Sequence, residues 1–304
     1  MVDIIIIGGG PAGLSAALYA KRYGMSLMVL ESAMYGGQVA NTPEVENYPG
    51  IMSIGGADFA FQLYEQIANL GVEIKLEGVD SADLSGPVKV IKTSKDTYEA
   101  KTVIIANGAK RRKLMCVGER ELTGKGVSYC ATCDGAFFKG KDVAIVGGGN
   151  TALEDAMFLA NNCKTVHLIH RRDAFRGNQI LVDALLRREN IIIHYDSVVE
   201  EIYGHDKVHG IIINNLKNPT LDRVDIPVSG VFVAIGLEPD NKLFADQITL
   251  DKAGYIIAGE DCKTNIKGVY AAGDTRTKGL RQIITAAADG AVAAFEASNL
   301  INAQ

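Results

Sequence analysis

One hydropathic pattern occurs twice along the chain. An unbroken apolar run, Ile4-Ile5-Ile6-Ile7, leads into Gly8-Gly9-Gly10-Pro11-Ala12-Gly13 and then Leu14-Ser15-Ala16-Ala17-Leu18-Tyr19-Ala20. A continuous apolar run predicts a strand buried on both faces of a parallel sheet, and the stretch after the glycines predicts a helix. Val143-Ala144-Ile145-Val146, Gly147-Gly148-Gly149-Asn150-Thr151-Ala152 and a helical stretch over 153–160 repeat that order. A second apolar run follows each helix, residues 26–30 in the first copy and 165–169 in the second. Each copy also has a late strand ending in a glycine turn, at 103–108 followed by Ala109, and at 231–236 ending in Gly236. The segments after these turns, the basic run 110–113 and residues 237–240, read as two connections joining an inserted domain to its host. The pattern predicts an α/β protein in which residues 112–243 form a second domain, inserted into a first domain built from 1–111 and 244–304.

The glycines carry the candidate chemistry. Gly8 permits a tight turn, Gly10 lets the backbone approach a pyrophosphate, and Gly13 allows close helix–strand packing. Pro11 suits the first helical turn, where its missing N–H costs nothing, and the helix start offers free N–H groups to phosphate. Eighteen residues after Gly13 stands Glu31, placed to accept hydrogen bonds from a ribose diol. In the second copy Gly147 and Gly149 hold the equivalent places, and Ala152 replaces the third glycine, which the pattern tolerates. Eighteen residues after Ala152 comes His170, followed by Arg171 and Arg172, with Arg176 four further on. A carboxylate there would repel a 2′-phosphate, whereas arginine offers it a charge-assisted fork. The first site is expected to hold a dinucleotide with a free ribose and the second NADP. A merely solvated basic loop is the alternative for residues 170–172, and their register with Glu31 argues against it.

Composition narrows the class. The 304 residues are 47% hydrophobic and 22% charged, with 33 glycines clustered at the ends of apolar runs. A net charge of −5 gives no electrostatic reason for nucleic acid or an anionic membrane as partner. No apolar stretch approaches the roughly 18 residues a membrane span needs. The early first strand leaves no room for a signal peptide, and an odd count of five cysteines does not make a secreted disulfide framework. A cytoplasmic location is expected.

Tyr129-Cys130-Ala131-Thr132-Cys133-Asp134-Gly135 holds a close cysteine pair. A zinc half-site would need a second such pair or neighbouring histidines, and Cys116, Cys163 and Cys262 stand alone. A redox pair is the stronger reading, above a structural disulfide. A nicotinamide hydride cannot reduce a disulfide directly at a useful rate, and a flavin between them resolves this. FAD is therefore expected in the first site. Val269-Tyr270-Ala271-Ala272-Gly273-Asp274 can place a carboxylate on ribityl hydroxyls. Arg281-Gln282 precede an apolar helix over 283–294, whose positive end would face the flavin pyrimidine.

GGGPAG with Glu31, Gly36-Gly37-Gln38, Glu46-Asn47-Tyr48-Pro49-Gly50, CATCDG, GGGNTA, HRRDAFR and GD…RQ occur in that order. In these motifs the chain resembles the low-molecular-weight, bacterial-type thioredoxin reductases over essentially its whole length. The resemblance implies two Rossmann-like three-layer nucleotide-binding domains, FAD, NADPH, a homodimer, and thioredoxin or a similar small dithiol protein as partner. It implies that Cys133 is the sulfur beside the flavin, Cys130 the sulfur that attacks the partner, and Asp134 the acid/base. Gly8, Gly10, Pro11, Ala12, Gly13, Glu31, Gly37, Gln38, Asn47, Ala109, Gly273, Asp274, Arg281, Gln282 and Ile283 become candidate FAD contacts. Gly147, Gly149, Asn150, Thr151, His170, Arg171, Arg172, Arg176 and Gly236 become candidate NADPH contacts.

Larger lipoamide- and glutathione-reductase-like proteins carry a CxxxxC just after the first glycine motif, and residues 35–42 contain no cysteine. Rival readings are the flavoprotein half of a peroxide-reducing system, a ferredoxin-linked flavin reductase, and a nucleotide-binding redox sensor. The second rival is expected to lack the second glycine motif and its arginines, which this chain keeps. Cys163 and Cys262 are expected to be buried, His167 and His194 structural, and His205 and His209 solvated. Phe137 and Phe138 are left open between core residues and an apolar patch for a protein partner. Because the redox pair shares the inserted domain with the NADP motif, a hinge at the two connections is expected.

Overall fold

The computed structural model describes residues 1–42, 44–217 and 223–303. In chain order come β1 (Val2–Ile7), α1 (Pro11–Arg22), β2 (Leu27–Glu31), α2 (Gly56–Ala68), β3 (Ile74–Leu76), β4 (Val79–Asp83), β5 (Lys89–Thr93) and β6 (Thr97–Ile105). A short connecting strand, β7 (Ala109–Arg111), precedes β8 (Val127–Ser128), α3 (Ala131–Asp134), β9 (Asp142–Gly147), α4 (Asn150–Ala160), β10 (Thr165–Ile169), α5 (Gln179–Leu186) and β11 (Ile191–His194). Then follow β12 (Ser197–Gly204), β13 (Val208–Asn215), β14 (Arg223–Pro227), β15 (Gly230–Ala234), the second connecting strand β16 (Leu237–Pro239), β17 (Val269–Ala271) and α6 (Ile283–Asn302). The chain divides into two compact units, one of Met1–Lys110 with Glu238–Gln304 and one of Arg111–Leu237. The connecting strands β7 and β16 pair with each other.

In the first unit the sheet runs β3-β2-β1-β6-β5-β4, with β17 also pairing to β6. The pairs β1/β2, β1/β6, β2/β3 and β6/β17 are parallel. The long β6 uses its first half for an antiparallel ladder with β5, and β5 pairs antiparallel with β4. Ile4 and Ile6 face one core cluster and Ile5 and Ile7 another, which is why the isoleucine run has no polar alternation. α1 and α6 cover the first face and meet through small side chains. A Cβ on Gly290 would stand 2.1 Å from the carbonyl oxygen of Ala12, so any larger residue would force the two helices apart.

The second unit has three layers. Its parallel sheet runs β11-β10-β9-β15-β8, with α4 and α5 on one side around Leu153, Leu159 and Leu185. The antiparallel sheet β12-β13-β14 packs on the other side through Ile202, Ile211, Ile213 and Ile226. This is the α/β class with two Rossmann-like units. The antiparallel additions β4-β5 and β12-β14 extend beyond the elements expected from the sequence. Helices also run further than their apolar cores suggest: α6 reaches Asn302.

Candidate functional site

The first glycine loop sits between β1 and α1, at the point where the neighbours β2 and β6 diverge, the usual ligand crevice of such sheets. Gly8 has φ +106°, and a Cβ there would lie 2.4 Å from the carbonyl oxygen of Ala106. A Cβ on Gly13 would lie 1.8 Å from the carbonyl oxygen of Gly8. Both glycines are demanded by the chain itself. Gly10 differs: its backbone is ordinary (φ −79°), and a Cβ would meet only Gly37 Cα at 3.9 Å. It is also the N-cap of α1 and carries no capping side chain. The bare helix start, with Pro11 in its first turn, fits a phosphate group that comes up against the backbone.

Glu31, at the end of β2, folds over this loop. Its carboxylate accepts the Gly9 N–H at 2.6 Å and the Ala33 N–H at 2.9 Å. Gly36 and Gly37, both at positive φ, bring a second turn against the loop, and the Gly36 N–H donates to the Gly9 carbonyl at 2.8 Å. The Gln38 amide donates to the Ala109 carbonyl. Asn47 donates to the Gln282 side-chain oxygen at 3.1 Å, and Gln282 caps α6 in a reciprocal box with Thr285. Ile283 packs on the apolar cluster around Phe59. Ala12 is a packing residue, with its carbonyl against Gly290 and its Cβ against Gly273.

Gly273 and Asp274 lie on a tight turn held by a buried ionic cluster that sequence reasoning missed. Asp289 on α6 accepts two hydrogen bonds from Arg276, one from Lys278 and one from the Gly273 N–H, all at 2.8–2.9 Å. Burial pushes the Asp289 carboxyl up, but these donors outweigh it and hold it below the ordinary carboxylate range. The one sequence signal was a carboxylate inside an alanine-rich helix. Arg281 donates to the Lys278 and Arg276 carbonyls at 3.2 Å, and its guanidinium lies 4.1 Å from the centroid of the Tyr255 ring.

The second loop repeats the logic in the other unit. A Cβ on Gly147 would meet the Ala234 carbonyl oxygen at 2.4 Å and Ala152 Cβ at 2.5 Å. Gly149, the uncapped N-cap of α4 at φ −96°, has open space where a Cβ would be. The same is true at Gly236, whose φ is +103°. The basic loop is tied to this turn. The Arg176 N–H donates to the Gly148 carbonyl at 2.8 Å, and the Asn178 N–H to the Asn150 side-chain oxygen at 2.7 Å. Thr151, Arg171, Arg172 and Arg176 are exposed. His170 is not: it is 4% exposed, bonds through Nε2 to the Ala174 carbonyl, and packs where a Cβ on Gly148 would stand. Burial pushes its pKa down. In this structure it is a buttress under the loop, and the arginines supply the exposed charge.

Cys130 and Cys133 form a disulfide across the start of α3. Asp134 follows, its Oδ2 accepting from Ser128 at 2.5 Å. A Cβ on Gly135 would stand 3.0 Å from the Phe158 ring, a tight contact to which the ring would have to yield. Phe138 belongs to the core, edge-on to Phe232, whereas Phe137 is 46% exposed. A further missed residue is the buried Glu119, which accepts from Leu114 N–H, Met115 N–H and the Tyr129 hydroxyl at 2.8–2.9 Å. Burial and Glu119 together push the Tyr129 hydroxyl up to about 12. Burial, with help from Glu119, raises Cys116 to about 11, so it is no ready nucleophile. Cys163 and Cys262 are buried, and His205 and His209 are exposed. His167 and His194 lie on neighbouring strands and bond to each other at 3.1 Å. Among the described residues no cluster of metal ligands occurs, and no helix is long and apolar enough to cross a membrane.

The pyridine nucleotide-disulphide oxidoreductase family model matches residues 2–290. The chain is 44% identical to the thioredoxin reductase of Peptoclostridium acidaminophilum, covering 99% of this chain and 97% of that one. It is 42% identical to that of Listeria monocytogenes, covering 98% and 93%. The thioredoxin reductase structure from Streptococcus pyogenes superposes with a TM-score of 0.93 at 42% identity, covering 100% of this chain and 99% of that one. A ferredoxin-flavin thioredoxin reductase from Clostridium acetobutylicum aligns at 32% identity with a TM-score of 0.55, covering 100% and 99%. With glycine loops, acid, arginines and disulfide in place and the match running through nearly all of it, the chain belongs to the pyridine nucleotide-disulphide oxidoreductase family.

Proposed function

We propose that this protein is an NADPH-dependent thioredoxin reductase that acts in the cytoplasm as an FAD-containing homodimer. The observation that carries the reading is the Cys130–Cys133 disulfide, next to Asp134 and in the same unit as the arginine-flanked loop of Gly147–Asn150. When bound, NADPH supplies a hydride and FAD supplies the two-electron relay that turns it into a reduced cysteine pair. Gly8, Gly10 and Gly13, the α1 N-terminus, Glu31, Gly37, Gln38, Asn47 and Gly273–Gln282 hold the FAD. Gly147, Gly149, the α4 N-terminus, Arg171, Arg172 and Arg176 hold the NADPH. The fit rests on Gly10 and Gly149, where nothing in the chain excludes a side chain and both helix starts are left bare.

The cysteines carry the exchange. With the pair reduced, Asp134 takes the Cys130 thiol proton, and the thiolate attacks one sulfur of the thioredoxin disulfide. That bond breaks, a mixed disulfide forms, and the other thioredoxin sulfur leaves as thiolate. Asp134 hands its proton to that first thioredoxin thiolate. Cys133, giving up its own thiol proton, then attacks Cys130 sulfur, reforms the intramolecular disulfide and expels the second thioredoxin sulfur, which takes up that proton. Two protons and two electrons have passed from the cysteine pair to thioredoxin. Nicotinamide and disulfide belong to one unit and the flavin to the other, so we read the two connecting strands as the hinge between successive states.

The roles of the two sulfurs separate spectroscopically. In Cys130→Ser the remaining Cys133 thiolate should give a long-wavelength charge-transfer band with oxidised flavin, and in Cys133→Ser the band should be missing. Bands in the opposite variants would reverse the assignment.

A further inference from the structure

No sequence motif singles out Ser128, two residues before Cys130. It is 6% exposed and fixed at the sheet edge, where β8 pairs with β15 and Ser128 stands opposite Phe232. Its hydroxyl oxygen accepts the Cys130 N–H at 3.1 Å and lies 2.5 Å from Asp134 Oδ2. A hydroxyl has one proton to give. The Cys130 carbonyl oxygen is also in range, at 3.3 Å. The carboxylate is nearer and charged, so it takes the proton in the stronger bond. The result is a directed chain, Cys130 N–H to Ser128 O–H to Asp134 carboxylate, in which each bond polarises the next. It links the backbone of the attacking cysteine to the group that handles its proton, and it closes over seven residues of a turn that α3 alone, four residues long, could hold only loosely.

We propose that Ser128 is a positioning residue for proton transfer at the redox pair. Its hydroxyl holds the Asp134 carboxylate in place and in register with Cys130. The inference rests on the reading of Asp134 as the acid/base of thioredoxin reduction.

The test is the steady-state kinetics of thioredoxin reduction by the full-length holoenzyme. Ser128→Ala should lower kcat by about tenfold with KM for thioredoxin within about twofold of wild type. Ser128→Thr keeps a hydroxyl and should retain the wild-type kcat. In an Asp134→Asn background, Ser128→Ala should add no further loss. A change in KM alone, Ala and Thr variants that lose alike, or losses that multiply in the double variant overturn the positioning role. Flavin absorbance and unfolding temperature report whether each variant has folded. If Ser128→Ala does not fold, a lowered kcat in Ser128→Thr still overturns the inference and a retained one supports it. Failure of the unsubstituted enzyme to reduce thioredoxin, or full activity of Asp134→Asn, overturns the underlying reading and this inference with it. Wild-type reduction with Asp134→Asn impaired and Ser128→Ala as active as wild type overturns the Ser128 inference alone.

Discussion

A glycine can be required by the chain or by something the chain must hold, and Gly13 and Gly10 separate the two cases. At Gly13 a methyl group would sit 1.8 Å from a backbone oxygen, and at Gly10 it would make only an ordinary contact at 3.9 Å. Gly13→Ala should therefore lose about 1–3 kcal/mol or more to overpacking, read as a lowered unfolding midpoint. Gly10→Ala should fold normally and purify with less flavin. Equal flavin retention by Gly10→Ala and wild type would remove the phosphate from that helix start. The arginines allow a second test. If both arginines contact the 2′-phosphate as proposed, two charge-assisted contacts of about 1.5–3 kcal/mol each should make the protein prefer NADPH over NADH by about two orders of magnitude or more. Arg171 and Arg172 changed together to Ala should erase most of it through KM. Both pairs were legible in the sequence because turn chemistry and register are local. His170 was less so: its place in the basic run suggests a phosphate contact, but the imidazole fills the space under Gly148, and only tertiary packing shows that.

At the scale of elements, the first strand is secured to both neighbours by one carboxylate. Asp3 on β1 bonds the Lys101 ammonium of β6 at 2.7 Å and the Ser26 hydroxyl beside β2 at 2.6 Å. Burial pushes its carboxyl up, but Lys101 and Ser26 outweigh that and bring it down from 3.8 to about 2. The folded value lies below the unfolded one, so the contribution is complete above pH 3.8 and is lost as pH falls through about 2. The urea midpoints of wild type and Asp3→Asn should differ at pH 6, and the gap should narrow as pH drops below about 4. A gap that stays constant down to pH 2.5 would show that the carboxylate is not what joins the strands. Apolar runs predicted β1, β9 and their helices because each buries two faces. The sheet of β12–β14 was not foreseen: its burial pattern is broken by exposed residues such as Glu200 and His209 and by bulges in the β12/β13 register. Asp289 was hidden for a related reason. Its partners Arg276 and Lys278 lie in a loop 13 and 11 residues earlier, a pairing that helix spacing cannot reveal.

For the whole molecule, the twofold pattern in the sequence becomes two units, each with its own sheet and its own bare helix start. The unit boundaries fall at Lys110/Arg111 and Leu237/Glu238, inside the connecting strands themselves. The first repeat carries an acid where the second carries arginines, the basis on which we propose different ligands for them, and the disulfide lies in the unit with the arginines. The central claim is that electrons from NADPH leave the protein through Cys130 and Cys133 to thioredoxin. Its most direct test is steady-state NADPH oxidation by the FAD-loaded protein with thioredoxin from the same cell, alongside Cys130→Ser and Cys133→Ser. Oxidation should be saturable, form two thioredoxin thiols per NADPH, run much slower with NADH, and be abolished in both variants. Thioredoxin reduction that survives the loss of either cysteine, or none at all by the unsubstituted enzyme, would contradict it.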